Sequence, residues 1–70
     1  MEKMSLDGSE NIALCDLLKR TGMCSNGGHA KAMISEGLVK VDGKVDLKKR
    51  SKIVADQVVE FEGQSVQVIK

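Results

Sequence analysis

The residues SNGGHAK, from Ser25 to Lys31, include the glycines and polar side chains that could bind a phosphate. Glycine-rich loops of nucleotide-using enzymes bind phosphates with backbone N–H groups and place a lysine and a hydroxyl residue directly after the last glycine. Here Lys31 follows Gly28 by three residues and Ala32 comes next, so the phosphate-loop pattern G-x-x-x-x-G-K-[ST] is absent. The dinucleotide pattern G-x-G-x-x-G is absent too. This stretch therefore does not predict a nucleotide-using enzyme.

The same residues fit the start of a helix. Ser25 is a suitable N-cap, because its side chain can accept a hydrogen bond from an N–H group of the first turn. Gly27 and Gly28 would lie in that turn, where each glycine costs about 1 kcal/mol relative to alanine and so needs a reason. Either a neighbouring element approaches the bare backbone closely, or the free N–H groups stay accessible to an anion. Packing is the simpler explanation because it needs no ligand, and the spacing alone leaves both open.

The other reactive side chains form no catalytic or metal-binding pattern. The chain has one histidine, His29, and two cysteines, Cys15 and Cys24, without the paired spacings of a structural zinc site. We expect His29 at the surface, Cys15 as a small buried apolar residue and Cys24 in a loop. No pair of carboxylates stands in an apolar setting. The sequence therefore predicts no enzyme, no metal and no cofactor.

The distribution of apolar residues indicates a cellular location. It shows no signal-peptide pattern and no apolar run near the roughly 20 residues of a membrane span. We therefore expect a cytoplasmic protein that does not bind a membrane and whose thiols are reduced. One Cys15–Cys24 disulfide is compatible with the cysteine count but is not expected there.

Charge is distributed unevenly although the net charge is only +1. The segment from Lys19 to Lys52 holds nine basic and three acidic residues, a net +6, whereas the remainder holds two basic and seven acidic residues, a net −5. A basic segment between acidic ends fits a polyanionic partner. An ordinary solvated surface with clustered charges explains the same distribution equally well.

Two helices are predicted in the first half of the chain. The first runs from about Ser9 or Asn11, either of which could cap it, to Arg20, and Gly22 follows as a left-handed stop. The second follows Ser25 and ends at Gly37. Their apolar stripes, at helical spacing, are Leu14, Leu17 and Leu18 with Cys15 at the edge, and Ala30, Met33 and Ile34.

From Leu38 onward the apolar residues alternate with polar ones, which predicts strands. Asp42-Gly43 is a strong hairpin signal, and Glu62-Gly63 predicts a second turn. Residues 1–8 are a lead-in or a short strand. The 70 residues therefore predict one α+β domain, in which two packed helices precede a small antiparallel sheet of three to five short strands.

The kind of nucleic acid is limited by the aromatic content. Proteins that bind single strands stack bases on aromatic rings, and this chain has one such residue, Phe61, which the alternation places in the core. Recognition of backbone and shape by lysine and arginine remains, which suits folded RNA or a duplex.

The stretch LCDLLKRTGMCSNGGHAKAMISEGLVKVDGKVDLKKRSKI resembles the alpha-L RNA-binding motif, the S-four-type domain. That family has a helix with L-x-x-L-L-K, a glycine turn, S-x-G-E-A-K, I-x-x-G-x-V-x-V-N-G and a basic segment. The resemblance covers about residues 12–68 and is closest to free-standing, single-domain bacterial members. No one piece is specific, whereas the ordered series is.

The resemblance implies binding of structured RNA, of the ribosomal or transfer RNA class, by a monomer that uses both helices and the neighbouring basic loop. Carried over by position, the phosphate contacts are Lys19, Lys31, Lys48, Lys49, Arg50 and Lys52, with Arg20 and Lys40 as additions. Ser25, Gly27 and Gly28 would then form a helix start that receives a phosphate. The alternative is an adaptor whose basic face docks on an acidic protein.

Three departures from the family pattern accompany the resemblance. His29 stands where many relatives have glutamate, which removes a negative charge from the proposed RNA face. Asp42 replaces a frequent asparagine in the hairpin turn, a change that the turn tolerates. Asp56-Gln57 replaces a usual Gly-Asp, which leaves the geometry of that turn open.

Overall fold

The structure is a computed structural model that describes residues 2–70. Within this range two helices and seven strands follow one another along the chain. They are β1 (Glu2–Ser5), β2 (Ile12–Ala13), α1 (Leu14–Arg20), α2 (Gly27–Ser35), β3 (Val39–Val41), β4 (Lys44–Val45), β5 (Lys52–Ile53), β6 (Val58–Phe61) and β7 (Gln64–Ile69). The two helices pack against each other, and the predicted α+β class is confirmed. No helix within residues 2–70 has the length and apolar character needed to cross a membrane.

The main sheet has five strands in the order β1-β7-β6-β3-β4, and β2 and β5 form a separate two-stranded sheet. Every neighbouring pair is antiparallel, as predicted, except β1, which runs parallel to β7 with Met4 beside Val68. The prediction of a purely antiparallel sheet is wrong at this edge. Because β1 pairs with the last strand of the chain, no local turn residue signals the pairing.

The two predicted hairpin turns are present. Asp42 and Gly43 have φ of 52° and 83°, and Glu62 and Gly63 have φ of 51° and 78°. Two successive residues with positive φ match the right-handed twist of the strands that they connect, which is why Asp-Gly and similar pairs favour hairpins. These turns set the registers of β3 with β4 and of β6 with β7.

The core lies between the helix pair and one face of the main sheet. It contains the predicted leucines of α1, Ala30 and Ile34 of α2 and the inward residues of the strands, while Met33 is only partly buried. The largest fully buried side chains are Leu14, Leu17, Leu18, Ile34, Val39, Ile53, Val59, Val66 and Val68. Each contributes about 1.5–3 kcal/mol through burial. Cys15 is buried as predicted, and Cys24, which lies in the loop between the helices, is buried as well.

Helix α1 begins at Leu14, so the predicted start at Ser9 or Asn11 is wrong. Residues Ile12 and Ala13 form β2 instead, and the N-cap residue Ala13 makes no side-chain cap. The first two N–H groups of α1 donate to distant carbonyls: Leu14 N lies 2.9 Å from the Ser51 oxygen and Cys15 N lies 3.1 Å from the Lys49 oxygen. Because these carbonyls satisfy the unpaired N–H groups, α1 needs no capping side chain.

Candidate nucleic-acid interface

The basic loop, defined here as residues 48–52, is fixed to the start of α1. Its carbonyls at Lys49 and Ser51 accept the two hydrogen bonds from α1, and Ser51 N donates to the Lys48 oxygen at 3.1 Å. Lys48 N donates to Asp46 Oδ1 at 2.8 Å, and Lys52 pairs with Ala13 in the small sheet. The backbone of the basic loop is therefore held at both ends and in the middle.

The four cationic side chains of the basic loop are all exposed. They are Lys48, Lys49, Arg50 and Lys52. Since their backbone groups are already bonded to one another, to Asp46 and to α1, the charges stand on a fixed framework. A fixed framework lowers the entropy lost when such charges meet a phosphate.

Lys19 and Arg20 end α1 on different sides of the helix. Both are exposed, and adjacent residues of an α-helix point about 100° apart. Lys19 lies one turn beyond Cys15, whose N–H group is held by the basic loop. Arg20 instead lines a cleft of about 160 Å³ with Asp16, Asn11 and Ser9 among its neighbours. Arg20 therefore shares a cleft with the carboxylate of Asp16, whereas Lys19 is not among the residues that line it.

Lys40 lies outside the helix–loop surface. It is exposed on β3, and its side chain projects from the opposite face of the sheet to that of its buried neighbour Val39. It pairs with Val45 on one side and with Glu60 on the other. The core and both helices lie on the Val39 face, so Lys40 stands apart from Lys19 and the basic loop.

The start of α2 differs from the prediction in one residue. Asn26, not Ser25, is the N-cap, and its Oδ1 accepts a hydrogen bond from His29 N at 2.8 Å. Ser25 N donates to His29 Nδ1 at 3.1 Å, so Ser25 is held by the histidine and does not cap. Ser25 was predicted as the cap from local preference, but serine and asparagine are comparably good caps. His29, predicted at the surface, is half-buried.

Within residues 2–70 no neighbouring element packs closely against the glycines of α2, so close packing does not explain them. A Cβ at Gly27 would meet no neighbouring group within 4 Å, and one at Gly28 would meet only Asn26 Oδ1, at 3.3 Å. A side chain at Gly27 would therefore meet open space, while the N–H group of His29 in the same turn is bonded to Asn26. Lys31, on the same helix, is half-buried at the edge of the apolar stripe.

A side-chain network ties the β3–β4 turn to the connection between β5 and β6. Asp42 Oδ1 accepts from Val58 N at 3.0 Å and Oδ2 accepts from Gln57 Nε2 at 3.1 Å. Gln57 Oε1 in turn accepts from Val54 N at 2.9 Å. The backbone bond from Val58, followed by the bond from Gln57, lowers the pKa of the Asp42 carboxyl below its ordinary value. This network, here called the Asp42–Gln57 clamp, was not predicted.

Both cysteine side chains are buried. Burial raises the pKa of the Cys24 thiol, and the negative charge of Glu62 raises it to a lesser extent. A thiol that stays protonated at neutral pH is a poor nucleophile. Both cysteines are free, and no group of three His, Cys, Asp or Glu side chains in residues 2–70 is placed to hold a metal ion.

Comparison with known proteins identifies the family. Residues 4–69 match the model of the S4 domain. The chain belongs to the S4 domain family. YbcJ of Escherichia coli (strain K12) and YbcJ of Shigella flexneri are each 52% identical to this S4 domain over 69 residues, which is 99% of both chains in each pair.

A solved structure supports the same assignment. The solution structure of E. coli YbcJ matches this S4 domain with a TM-score of 0.78 and 51% identity, over 100% of this chain and 89% of that chain. It is described as revealing an alpha-L motif involved in RNA binding. The resemblance to the alpha-L motif that the sequence indicated is therefore confirmed.

Proposed function

We propose that this S4 domain binds structured RNA, of the ribosomal or transfer RNA class, as a non-catalytic cytoplasmic monomer. The observation that carries the proposal is the basic loop, whose exposed charges stand on a backbone bonded to α1. Lys19 of α1 and Lys31 of α2 are included in this surface because the family resemblance carries them over by position. The RNA-binding motif described for the YbcJ structure supports the same partner.

The secondary contacts are ranked by their surroundings. The start of α2, at Ser25, Gly27 and Gly28, is included because the glycines place no side chain over backbone N–H groups that could donate to a phosphate. The N–H group of Ser25 itself is bonded to His29. Arg20 and Lys40 are weaker candidates, because Arg20 shares a cleft with Asp16 and Lys40 stands opposite Glu60 in the sheet.

Structured RNA is favoured over single strands because no Phe, Tyr or Trp ring is exposed for bases to stack on. The only aromatic residue among Phe, Tyr and Trp is Phe61, and its side chain is 2% exposed. Binding therefore depends on phosphate contacts and shape, which folded RNA presents in a fixed arrangement.

The test compares two triple variants that remove equal charge. Lys31→Ala/Arg50→Ala/Lys52→Ala removes cations of the proposed interface, and Lys3→Ala/Lys44→Ala/Lys70→Ala removes three exposed lysines outside it. The probes are a transfer RNA, a folded ribosomal RNA fragment and poly(U), with affinity measured at several salt concentrations. Far-UV circular dichroism verifies that both variants are folded.

The interface variant should bind folded RNA about a hundredfold more weakly near 0.1 M salt, and its plot of log affinity against log salt should flatten by about one unit per lost contact. The control should keep most of the affinity and the slope. If the interface variant binds with wild-type affinity and slope, the RNA proposal is wrong. A partner that stays bound to the protein after RNase treatment would then favour the adaptor function.

A further inference from the structure

His29 completes a capping box without a charged side chain. In the usual box the N-cap side chain accepts from the N–H group of the third helical residue, and a Glu or Gln at that residue reaches back to the N-cap region. Here Asn26 accepts from His29 N at 2.8 Å, and His29 Nδ1 accepts from Ser25 N at 3.1 Å. The imidazole thus makes the returning bond, but it accepts from Ser25, the residue before the N-cap, where the usual glutamate accepts from the N-cap residue itself.

The imidazole is held in its accepting orientation by the core. Its ring lies 6.4 Å from the Phe61 ring at an interplanar angle of 78°, an edge-to-face arrangement. Phe61 is 2% exposed in β6, so this contact joins the start of α2 to the sheet. In this orientation Nδ1 serves as the acceptor for the Ser25 N–H group, a role that needs no negatively charged side chain.

We propose that His29 is a positioning residue of the RNA interface, which holds Ser25 and Asn26 in place while adding no negative charge at the start of α2. The inference rests on the proposed RNA-binding function. A glutamate would make an equivalent hydrogen bond, and it would also stabilise the helix start, but its charge would repel an approaching phosphate. His29 therefore stabilises this helix start by a hydrogen bond without a negative charge that would weaken RNA binding.

Three variants separate the hydrogen bond from the charge. His29→Asn places a neutral oxygen at the same distance along the side chain as Nδ1, His29→Glu supplies a charged acceptor, and His29→Ala supplies none. The measurements are the melting temperature, the NMR shift and hydrogen exchange of the Ser25 amide, and the affinity for folded RNA at about 50 mM and 500 mM salt.

We expect His29→Ala to expose the Ser25 amide and to weaken RNA binding, and His29→Asn to restore both. His29→Glu should keep the amide protected and the melting temperature at least as high as that of His29→Asn. Its RNA affinity should nevertheless be about two- to fivefold lower than that of His29→Asn at 50 mM salt. That difference should disappear at 500 mM salt, where surface charges are screened.

Equal RNA affinity of His29→Glu and His29→Asn at low salt would overturn the inference, as would an unchanged Ser25 amide in His29→Ala. If His29→Ala does not fold, the comparison of His29→Glu with His29→Asn still decides. Should the triple interface variant lose RNA affinity while His29→Glu does not, the inference alone is wrong. If neither loses affinity, the proposed function is wrong and the inference falls with it.

Discussion

The Asp42–Gln57 clamp can be tested by exchanging its carboxylate and its amide between the two residues. In Asp42→Asn the new amide has one acceptor and one donor, where the carboxylate had two acceptors. If Oδ1 keeps the Val58 bond, Nδ2 faces the Gln57 amide nitrogen. If Gln57 turns its amide over, its nitrogen then faces Val54 N. One of the three hydrogen bonds is therefore lost whichever way the amides turn.

The size of the effect follows from this count. A lost hydrogen bond costs about 0.5–1.5 kcal/mol, and solvent exposure of the clamp keeps Asp42→Asn near the lower half, at about 0.5–1 kcal/mol. Gln57→Glu should cost about 1 kcal/mol or more, because two carboxylates then face each other. In Asp42→Asn/Gln57→Glu the asparagine donates to one glutamate oxygen and the other accepts from Val54 N. All three bonds return, so the double variant should lie within about 0.5 kcal/mol of wild type.

Urea unfolding followed by far-UV circular dichroism measures these free energies, because the chain has no Trp or Tyr for fluorescence. Asp56→Asn, in the same connection and also at positive φ, is the control and should stay within about 0.5 kcal/mol of wild type. Additive effects of the two single changes, with a coupling energy below about 0.3 kcal/mol, would refute the clamp.

Acid dependence gives a second measure of the same clamp. Because the folded state lowers the pKa of Asp42, its ionised form stabilises the fold above the ordinary aspartate pKa of about 3.9. That contribution is lost as the pH falls through the lower, folded value. The difference in unfolding free energy between wild type and Asp42→Asn should therefore shrink in this acid range. A difference that stays constant down to pH 2 would show that ionisation plays no part.

Four further predictions concern the helices, the RNA interface and the core. Gly27→Ala has open space and should stabilise the fold by up to about 1 kcal/mol, whereas Gly28→Ala crowds Asn26 Oδ1 at 3.3 Å and should gain less or lose stability, as thermal unfolding will show. For the phosphate role of these glycines, unchanged RNA affinity in folded Gly28→Ala would argue against access at that position. Ala30→Leu should destabilise by about 1–3 kcal/mol, since Ala30 is fully buried, and an unchanged urea midpoint would contradict this packing. Burial raises the pKa of Cys24, so its neutral thiol stabilises the fold below the ordinary thiol pKa, and this contribution is lost as the pH rises. The free energy of unfolding should therefore fall less between pH 8 and 10 in Cys24→Ala than in wild type.

The sequence predicted those elements whose cause is local. The leucines of α1 recur at helical spacing and are buried, Val39 and Lys40 alternate as a half-buried strand requires, and Asp42-Gly43 forms the hairpin turn. The order of these signals along the chain was also enough to indicate the alpha-L motif, which the S4 domain match confirms. Each signal depends on residues within a few positions of one another.

The candidate site was predicted as a set of residues but not as an arrangement. All its charges are visible in the sequence, yet only the structure shows that the basic loop is bonded to α1 and that Lys40 lies on the opposite face of the sheet. Asn26 was missed because Ser25 is an equally good cap by local preference. The spacing of Asn26 and His29 matches a capping box, which is the signal that could have identified it.

Amino-acid order by itself indicated the two helices, the alternating strands after Leu38, the two hairpin turns and the family to which the ordered motifs belong. Tertiary structure alone decided where α1 begins, that β1 pairs in parallel with β7, and that Asp42 and Gln57 meet. The physical reason is that backbone N–H and carbonyl groups must be paired wherever water is excluded. The partners that pair them, such as Ser51 for Leu14, come from distant parts of the chain that local periodicity does not relate.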